Sequence, residues 1–348
     1  MKQLVEIPLL AKDIGREVSA YLNTLTKPIG SLGRLETLAV ELAEMTGSRF
    51  PVVAPPGVLV FAADHGVTEE GVSAYPKEVT AQMVLNFLSG GAAMNVFSRQ
   101  IGALFEIVDV GVAEAVDGEG LIARNVRAGT RNFCQEDAMA EEEVIQALNV
   151  GKEEAAKMIE NGAKCLIVGE MGIGNTTSAS ALLSVITGKN VKELIGPGTG
   201  LNSDQMTKKQ SVIERAIEAR KPDQNDPLDL LKKLGGLEIA AMAGAMLEAA
   251  RNRIPIIVDG FICTVAALIA NQFDNRASDY MIAGHHSTEP GHKTALEELG
   301  KQPLLDLEMR LGEGTGAALA FPIVEAATNM LCEMATFSEA GVSGKSER

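Results

Sequence analysis

The chain has 348 residues, enough for one large α/β unit with a small appendage. Apolar residues make up 46% and charged residues 22%, a globular balance that excludes a disordered chain. The formal net charge is −15, so the surface excludes nucleic acid and anionic membrane as partners, and any bound phosphate must be held by local geometry.

Residues 1–24 place Leu10, Ile14, Val18 and Leu22 on one helical face. Charges interrupt the apolar residues there, which argues against a signal peptide. A second helix is expected over Gly33–Thr46. Strand-length apolar runs then follow at Val58–Ala62, Ala103–Val108, Lys164–Val168, Pro255–Val258, Tyr280–Ala283 and Pro303–Leu307. Helical segments separate many of them: Lys77–Leu88, Ala92–Gln100, Glu141–Asn161, Thr176–Thr187, Ser203–Arg220, Leu237–Arg251 and Gly260–Asn271. The longest apolar stretch, Thr315–Met330, contains Pro322, Glu325 and Asn329 and reads as a buried helix rather than a membrane span. Apolar strands that run continuously, without alternation, predict an α/β fold: a Rossmann-like parallel sheet of about six strands with helices on both faces. Cys134, Cys165, Cys263 and Cys332 show no paired spacing and read as free, mostly buried thiols in a reducing, cytoplasmic setting.

Polar and glycine-rich segments follow these strands. The first leads into Ala63-Asp64-His65-Gly66, the second into Asp109-Val110-Gly111 and the third into Gly169–Thr176. Asp259-Gly260 follows the fourth and Gly284-His285-His286-Ser287 the fifth, while the sixth leads through Glu308-Met309-Arg310 to Leu311–Gly314. In open parallel sheets that edge is where ligands bind.

Three glycine-rich loops, Gly169–Thr176, Gly196–Gly200 and Gly312–Gly316, suit phosphate or ribose binding, because glycine lets backbone amides approach an anion at a helix start. Each also suits a plain turn. None is a P-loop and none fits the dinucleotide fingerprint. Glu313 lies between two glycines. It reads either as a carboxylate favoured by a helix N-terminus or as a general base whose pKa an apolar surround would raise. Glu170, in a similar setting, is the second carboxylate candidate. His65, His285, His286 and His292, with Asp64 and Asp259, invite a metal-hydrolase reading, although no HxH or HExxH spacing exists. The plainer reading has them bonding loop backbone or phosphate. Ser73–Met83 offers an aromatic, an amide and a methionine around a helix start. That suits a planar ring, or an ordinary helix entry with Pro76 in its first turn. A non-catalytic nucleotide-binding module remains a third possibility.

Several runs occur together and in order: Leu25-Thr26-Lys27-Pro28-Ile29-Gly30-Ser31-Leu32-Gly33-Arg34-Leu35-Glu36, Ala62–Val67, Tyr75–Thr80, Gly169–Thr176, Gly196–Gly200, His285–Ser287 and Arg310–Gly316. In these runs, across nearly its whole length, the chain resembles the nicotinate-nucleotide:dimethylbenzimidazole phosphoribosyltransferase family. The resemblance implies transfer of phosphoribose from nicotinate mononucleotide to 5,6-dimethylbenzimidazole, with inversion at C1′ and Glu313 as catalytic base. It implies no metal and no cofactor. The phosphate is expected on the loop amides of Gly172–Thr176, Gly174 and Asn175 among them, and of Gly314–Gly316, with Ser287 adding a hydroxyl and Gly312 also against substrate. The nicotinate ring is expected near Gly198, Thr199, Gly200 and Lys209, and the benzimidazole near Ser73, Gln82 and Met83. A homodimer is also implied, with a large α/β domain over 25–305 and a small helical domain built from 1–24 and 306–348.

Overall fold

The computed structural model describes residues 6–196, 198, 200 and 202–343. The chain begins with helices α1 (Lys12–Leu22) and α2 (Arg34–Thr46) and enters the sheet at β1 (Pro56–Ala63). Helices α3 (Val79–Leu88) and α4 (Ala93–Gln100) lead to β2 (Leu104–Gly111) and β3 (Leu121–Ala123), and α5 (Glu141–Glu160) leads to β4 (Cys165–Met171). A helical run follows: α6 (Asn175–Thr187), α7 (Val191–Leu194), α8 (Ser203–Arg220), α9 (Pro227–Leu234) and α10 (Leu237–Arg251). Then come β5 (Ile256–Val258), α11 (Phe261–Phe273), β6 (Met281–Ala283), β7 (His285–His286), α12 (Pro290–Leu299), β8 (Leu305–Asp306), α13 (Thr315–Glu333) and α14 (Phe337–Ala340).

The main sheet has the order β3-β2-β1-β4-β5-β6, and every pairing in it is parallel. The chain starts in the middle at β1, builds outward through β2 and β3, then returns to build the other side from β4. At that reversal, loops diverge from the C-terminal strand ends and leave a crevice. All eight residues of β1 are buried, as covering of both faces requires. Each fully buried Val, Leu, Ile or Phe contributes roughly 1.5–3 kcal/mol. Helix α10 is buried at every position from Leu237 to Ala250, and it packs against α5, α11 and the sheet. A helix that is apolar or small all round is stable only in such a place. Helix α2 packs against both α1 and α13. The two ends of the chain meet where Leu25 bridges Thr336 and the amides of Thr26 and Phe337 donate to Ala335 and Thr24.

Three expectations need correction. The run Pro303–Leu307 does not join the main sheet: only Leu305–Asp306 is extended, and it pairs with His285–His286 in a separate two-stranded ladder. The sixth strand of the sheet is Leu121–Ala123, a three-residue, partly exposed edge strand with little apolar signal. At the N-terminus, helix starts only at Lys12, so Leu10 lies outside it. Helices α9 and α12 went unanticipated, although Asp226-Pro227 and Glu289-Pro290 are ordinary helix entries with proline in the first turn. Cys165 and Cys263 are buried, Cys134 is half-buried and Cys332 is exposed, and all are free thiols. Among the described residues one helix, Thr315–Glu333, is long and apolar enough to cross a membrane. Most of it is buried inside the protein.

Candidate active site

A cleft of about 690 Å³ opens at the C-terminal ends of β4 and β5. The segment before and within α3 lines it with Val72, Ser73, Tyr75, Val79 and Met83. The end of β4 and the start of α6 contribute Glu170–Thr176, and the start of α11 contributes Asp259–Cys263. Gly198, His285, Ser287, Glu289 and Arg310–Glu313 complete the lining.

Two of these segments deliver a helix N-terminus to the cleft. Gly174 caps α6 with φ 97° and Gly314 caps α13 with φ 95°, a left-handed backbone that favours glycine. Asn175 and Thr315 already donate to the Gly172 and Gly312 carbonyls, Thr177 to Gly174 and Ala317 to Asp259; the first-turn amides that remain, with the helix dipole behind them, suit an anion.

Glu313 itself has φ 64°, uncommon for a residue with a side chain. Contacts hold it there. Its amide donates to Glu170 Oε1 at 3.3 Å, and its Oε2 accepts the Met94 amide at 3.1 Å. Burial pushes its pKa up; the Met94 hydrogen bond pulls the other way and nearby Asp259 adds to the rise. Glu170 is buried, and its pKa lies well above the ordinary range because of burial first and the charge of Glu238 second. Its other oxygen accepts from the Asn175 side-chain amide. Glu170 therefore joins the start of α6 to the loop before α13. Gly169 brings the two closer still, since a methyl there would run into the Glu313 carbonyl.

Lys209 lies behind this surface, fully buried, with Nζ 3.0 Å from Thr176 Oγ1 and 3.4 Å from the Gly196 carbonyl. Burial lowers its pKa to about 8, against the pull of Glu289. Glu289 accepts the Gly198 amide at 3.1 Å, and Arg310 donates to the Gly198 carbonyl at 3.2 Å. Asp259 accepts the Ala317 amide at 2.9 Å and so ties the end of β5 to the first turn of α13.

The His292 ring lies 5.9 Å from that of His286 and 6.0 Å from that of His285 between centroids, yet each histidine has its own partner. His65 pairs with Glu238 at 2.6 Å, His285 approaches Asp259 at 3.5 Å, and His286 approaches Asp306 at 3.3 Å. His292 accepts the Ser287 amide on Nδ1 at 2.7 Å, so Nε2 carries the proton and faces Thr264 Oγ1 at 3.0 Å. Burial lowers its pKa to about 3. Among the described residues, no group of three or more His, Cys, Asp or Glu side chains is gathered to hold a metal.

Of the residues singled out in the sequence, Ser73, Met83, Glu170, Gly172, Gly174, Asn175, Thr176, Gly198, Ser287, Gly312 and Glu313 line the cleft. Gln82 is exposed on α3 and outside the lining, because it falls on the opposite side of the helix from Val84 and Phe87. Lys209 is one layer behind, Gly200 is outside the lining, and Gly314 sits beneath as the helix cap. Thr199 lies outside the described residues. Sequence reasoning passed over Glu289 and Arg310 as site residues. The only local sign of Glu289 was its place before Pro290, and that of Arg310 its place at the head of the glycine loop.

A family model described as a phosphoribosyltransferase matches residues 7–342. A nicotinate-nucleotide–dimethylbenzimidazole phosphoribosyltransferase of Halalkalibacterium halodurans is 52% identical over 95% of this chain and 93% of its own length. One of Geotalea uraniireducens is 51% identical over 98% of this chain and 96% of its own. The crystal structure of CobT from Thermus thermophilus superposes with a TM-score of 0.92 at 45% identity, covering 95% of this chain and 99% of that one.

Proposed function

We propose, for a chain that belongs to the nicotinate-nucleotide–dimethylbenzimidazole phosphoribosyltransferase family and is a glycosyl-transferring enzyme, that it moves phosphoribose from nicotinate mononucleotide to 5,6-dimethylbenzimidazole. The products are α-ribazole 5′-phosphate and nicotinate. The observation that carries this reading is Glu313: a buried carboxyl of raised pKa at the cleft edge, beside two helix N-termini.

The pyridinium of the mononucleotide is cationic and leaves as a neutral ring, taking the C1′–N electron pair. C1′ gains oxocarbenium character, and a benzimidazole nitrogen attacks from the opposite face, inverting β to α. The proton on the other benzimidazole nitrogen passes to Glu313. A base so placed contributes about 10²–10⁴-fold, and alignment of two bound substrates adds to that. The phosphate rests on the amides at the starts of α6 and α13, with the Ser287 hydroxyl nearby. The benzimidazole lies against Met83, Tyr75 and Ser73, an apolar and pliable wall. Glu170 keeps the base loop in place through the Glu313 amide. The nicotinate ring lies toward Gly198, with Lys209 behind it. The assembly is a homodimer, which light scattering reads directly.

The test incubates the protein with nicotinate mononucleotide and follows free nicotinate by chromatography. Release only when dimethylbenzimidazole is present supports the reading. No release between about pH 6 and 9, the range a tuned carboxylate base covers, sinks it.

A further inference from the structure

His292 takes no part in the transfer itself, yet it is fully buried and both of its ring nitrogens are engaged. Nδ1 accepts the Ser287 amide, and the Nε2 proton goes to Thr264 Oγ1. Thr264 gives its own proton to the Gly260 carbonyl at 2.8 Å. One line of three hydrogen bonds therefore joins Gly260, just past the end of β5, to Ser287, just past β7. Both ends line the cleft, and Thr264 between them is fully buried. Only a neutral imidazole offers an acceptor and a donor on opposite sides of one rigid ring. Burial, with His285 and His286 close by, lowers the His292 pKa to about 3, so Nδ1 stays an acceptor at working pH.

Gly291 brings this contact about. A methyl there would lie 2.7 Å from the Leu194 carbonyl oxygen and 2.8 Å from a Phe261 ring carbon. Glycine therefore lets the start of α12 settle onto the end of α7 and the start of α11, with His292 in reach of Thr264. Ser287 is held from its other side too, since its Oγ accepts the Glu289 amide at 3.3 Å. Among the described residues no acceptor takes the Ser287 hydroxyl proton, which leaves it for a ligand in the cleft. From this we propose that His292 is a positioning residue that acts through Ser287: it fixes the backbone that aims the Ser287 hydroxyl at the mononucleotide, and ties that backbone to the loop after β5. The proposal rests on the placing of the mononucleotide near Ser287 given above.

Calorimetry of nicotinate mononucleotide binding to the full-length protein tests this without turnover. In His292→Asn the side-chain oxygen stands where Nδ1 stood and still accepts the Ser287 amide. In His292→Gln the side-chain nitrogen stands where Nε2 stood; it keeps the bond to Thr264 and leaves the Ser287 amide without an acceptor. The Gln variant is expected to raise Kd roughly 10-fold and the Asn variant by no more than about threefold. Ser287→Ala should weaken binding by a factor like that of the Gln variant. Adding His292→Gln to it should cost little more, because the residue through which His292 acts is already lost. Equal penalties for Asn and Gln overturn the proposal, as does a double variant whose loss is the product of the two single losses. A Gln variant that binds within about twofold of an unaltered chain that releases nicotinate also overturns it, and leaves the reaction standing. If circular dichroism shows the Gln variant unfolded, Thr264→Val carries the test: Kd should rise about threefold and Thr264→Ser should restore it, whereas an unchanged Kd overturns the proposal. The expected pattern of binding with no nicotinate release would instead defeat the reaction and leave the positioning role standing.

Discussion

The loop entering α6 and the loop entering α13 carry the same pattern, Gly172-Ile173-Gly174-Asn175 in one and Gly312-Glu313-Gly314-Thr315 in the other. Their second halves also turn alike: in each, the fourth amide donates to the first carbonyl at 3.1 Å, and the third residue is a left-handed glycine cap, while Gly312 is left-handed and Gly172 is not. The second residue separates them. The Ile173 amide donates to a neutral hydroxyl, Thr80 Oγ1, at 3.1 Å, while the Glu313 amide donates to the carboxyl of Glu170. Glu313 is itself left-handed, which costs a side-chain-bearing residue roughly 1–2 kcal/mol. One loop offers amides alone. The other spends backbone strain to aim a carboxyl into the cleft, and strain of that kind persists only where surrounding contacts enforce it.

Breaking this contrast at its centre has the largest expected effect. Glu313→Gln should lower kcat by about 10²–10⁴-fold with little change in mononucleotide binding, whereas Ile173→Val should leave kcat within a few-fold. Steady-state kinetics decide it, and equal losses would erase the distinction between the loops. The pH profile sharpens the same point. Glu313 must be ionised to accept a proton, and burial raises its pKa above the ordinary carboxylate value of 4.5. Activity should therefore fall as pH drops through a pKa above 4.5 and be flat above it. That acidic limb should vanish from the residual rate of Glu313→Gln; if it persists, Glu170 is the titrating group.

The caps come next. Gly174→Ala and Gly314→Ala should each cost about 1–2 kcal/mol for the left-handed backbone alone, read by urea denaturation. Gly174 should lose more, because its new methyl would lie 2.8 Å from Thr68 Cγ2, while the nearest atom at Gly314 is 3.4 Å away. Equal losses would mean that Thr68 moves aside. The smallest effect is expected from Thr80→Val, which removes the acceptor of the Ile173 amide and should cost about 1 kcal/mol, with Thr80→Ser restoring it. No loss would show that the first loop holds its shape without that tether.

Much of this molecule is written locally. Continuous apolar runs gave five of the six strands of the main sheet, and glycine with polar residues after each run gave the binding edge, because strand and helix periods and turn chemistry depend on near neighbours in the chain. The position of Glu313 between glycines was legible for the same reason. What the sequence withheld depends on contacts between distant residues. Leu121–Ala123 is a strand only because β2 lies beside it, and Pro303–Leu307 touches the main sheet only where the Leu304 amide donates to the Ala283 carbonyl, its extended part pairing with His285–His286 beyond the end of β6. Two glycine loops alike on paper became different when Gly169 let Glu313 pack against β4, and when Glu170, 143 residues earlier, took its amide. Burial and hydrogen-bond partners set a carboxyl's pKa, and both are properties of the assembled fold, so the sequence placed the one carboxyl between the glycines of the second loop and the tertiary structure alone decided that its pKa is raised.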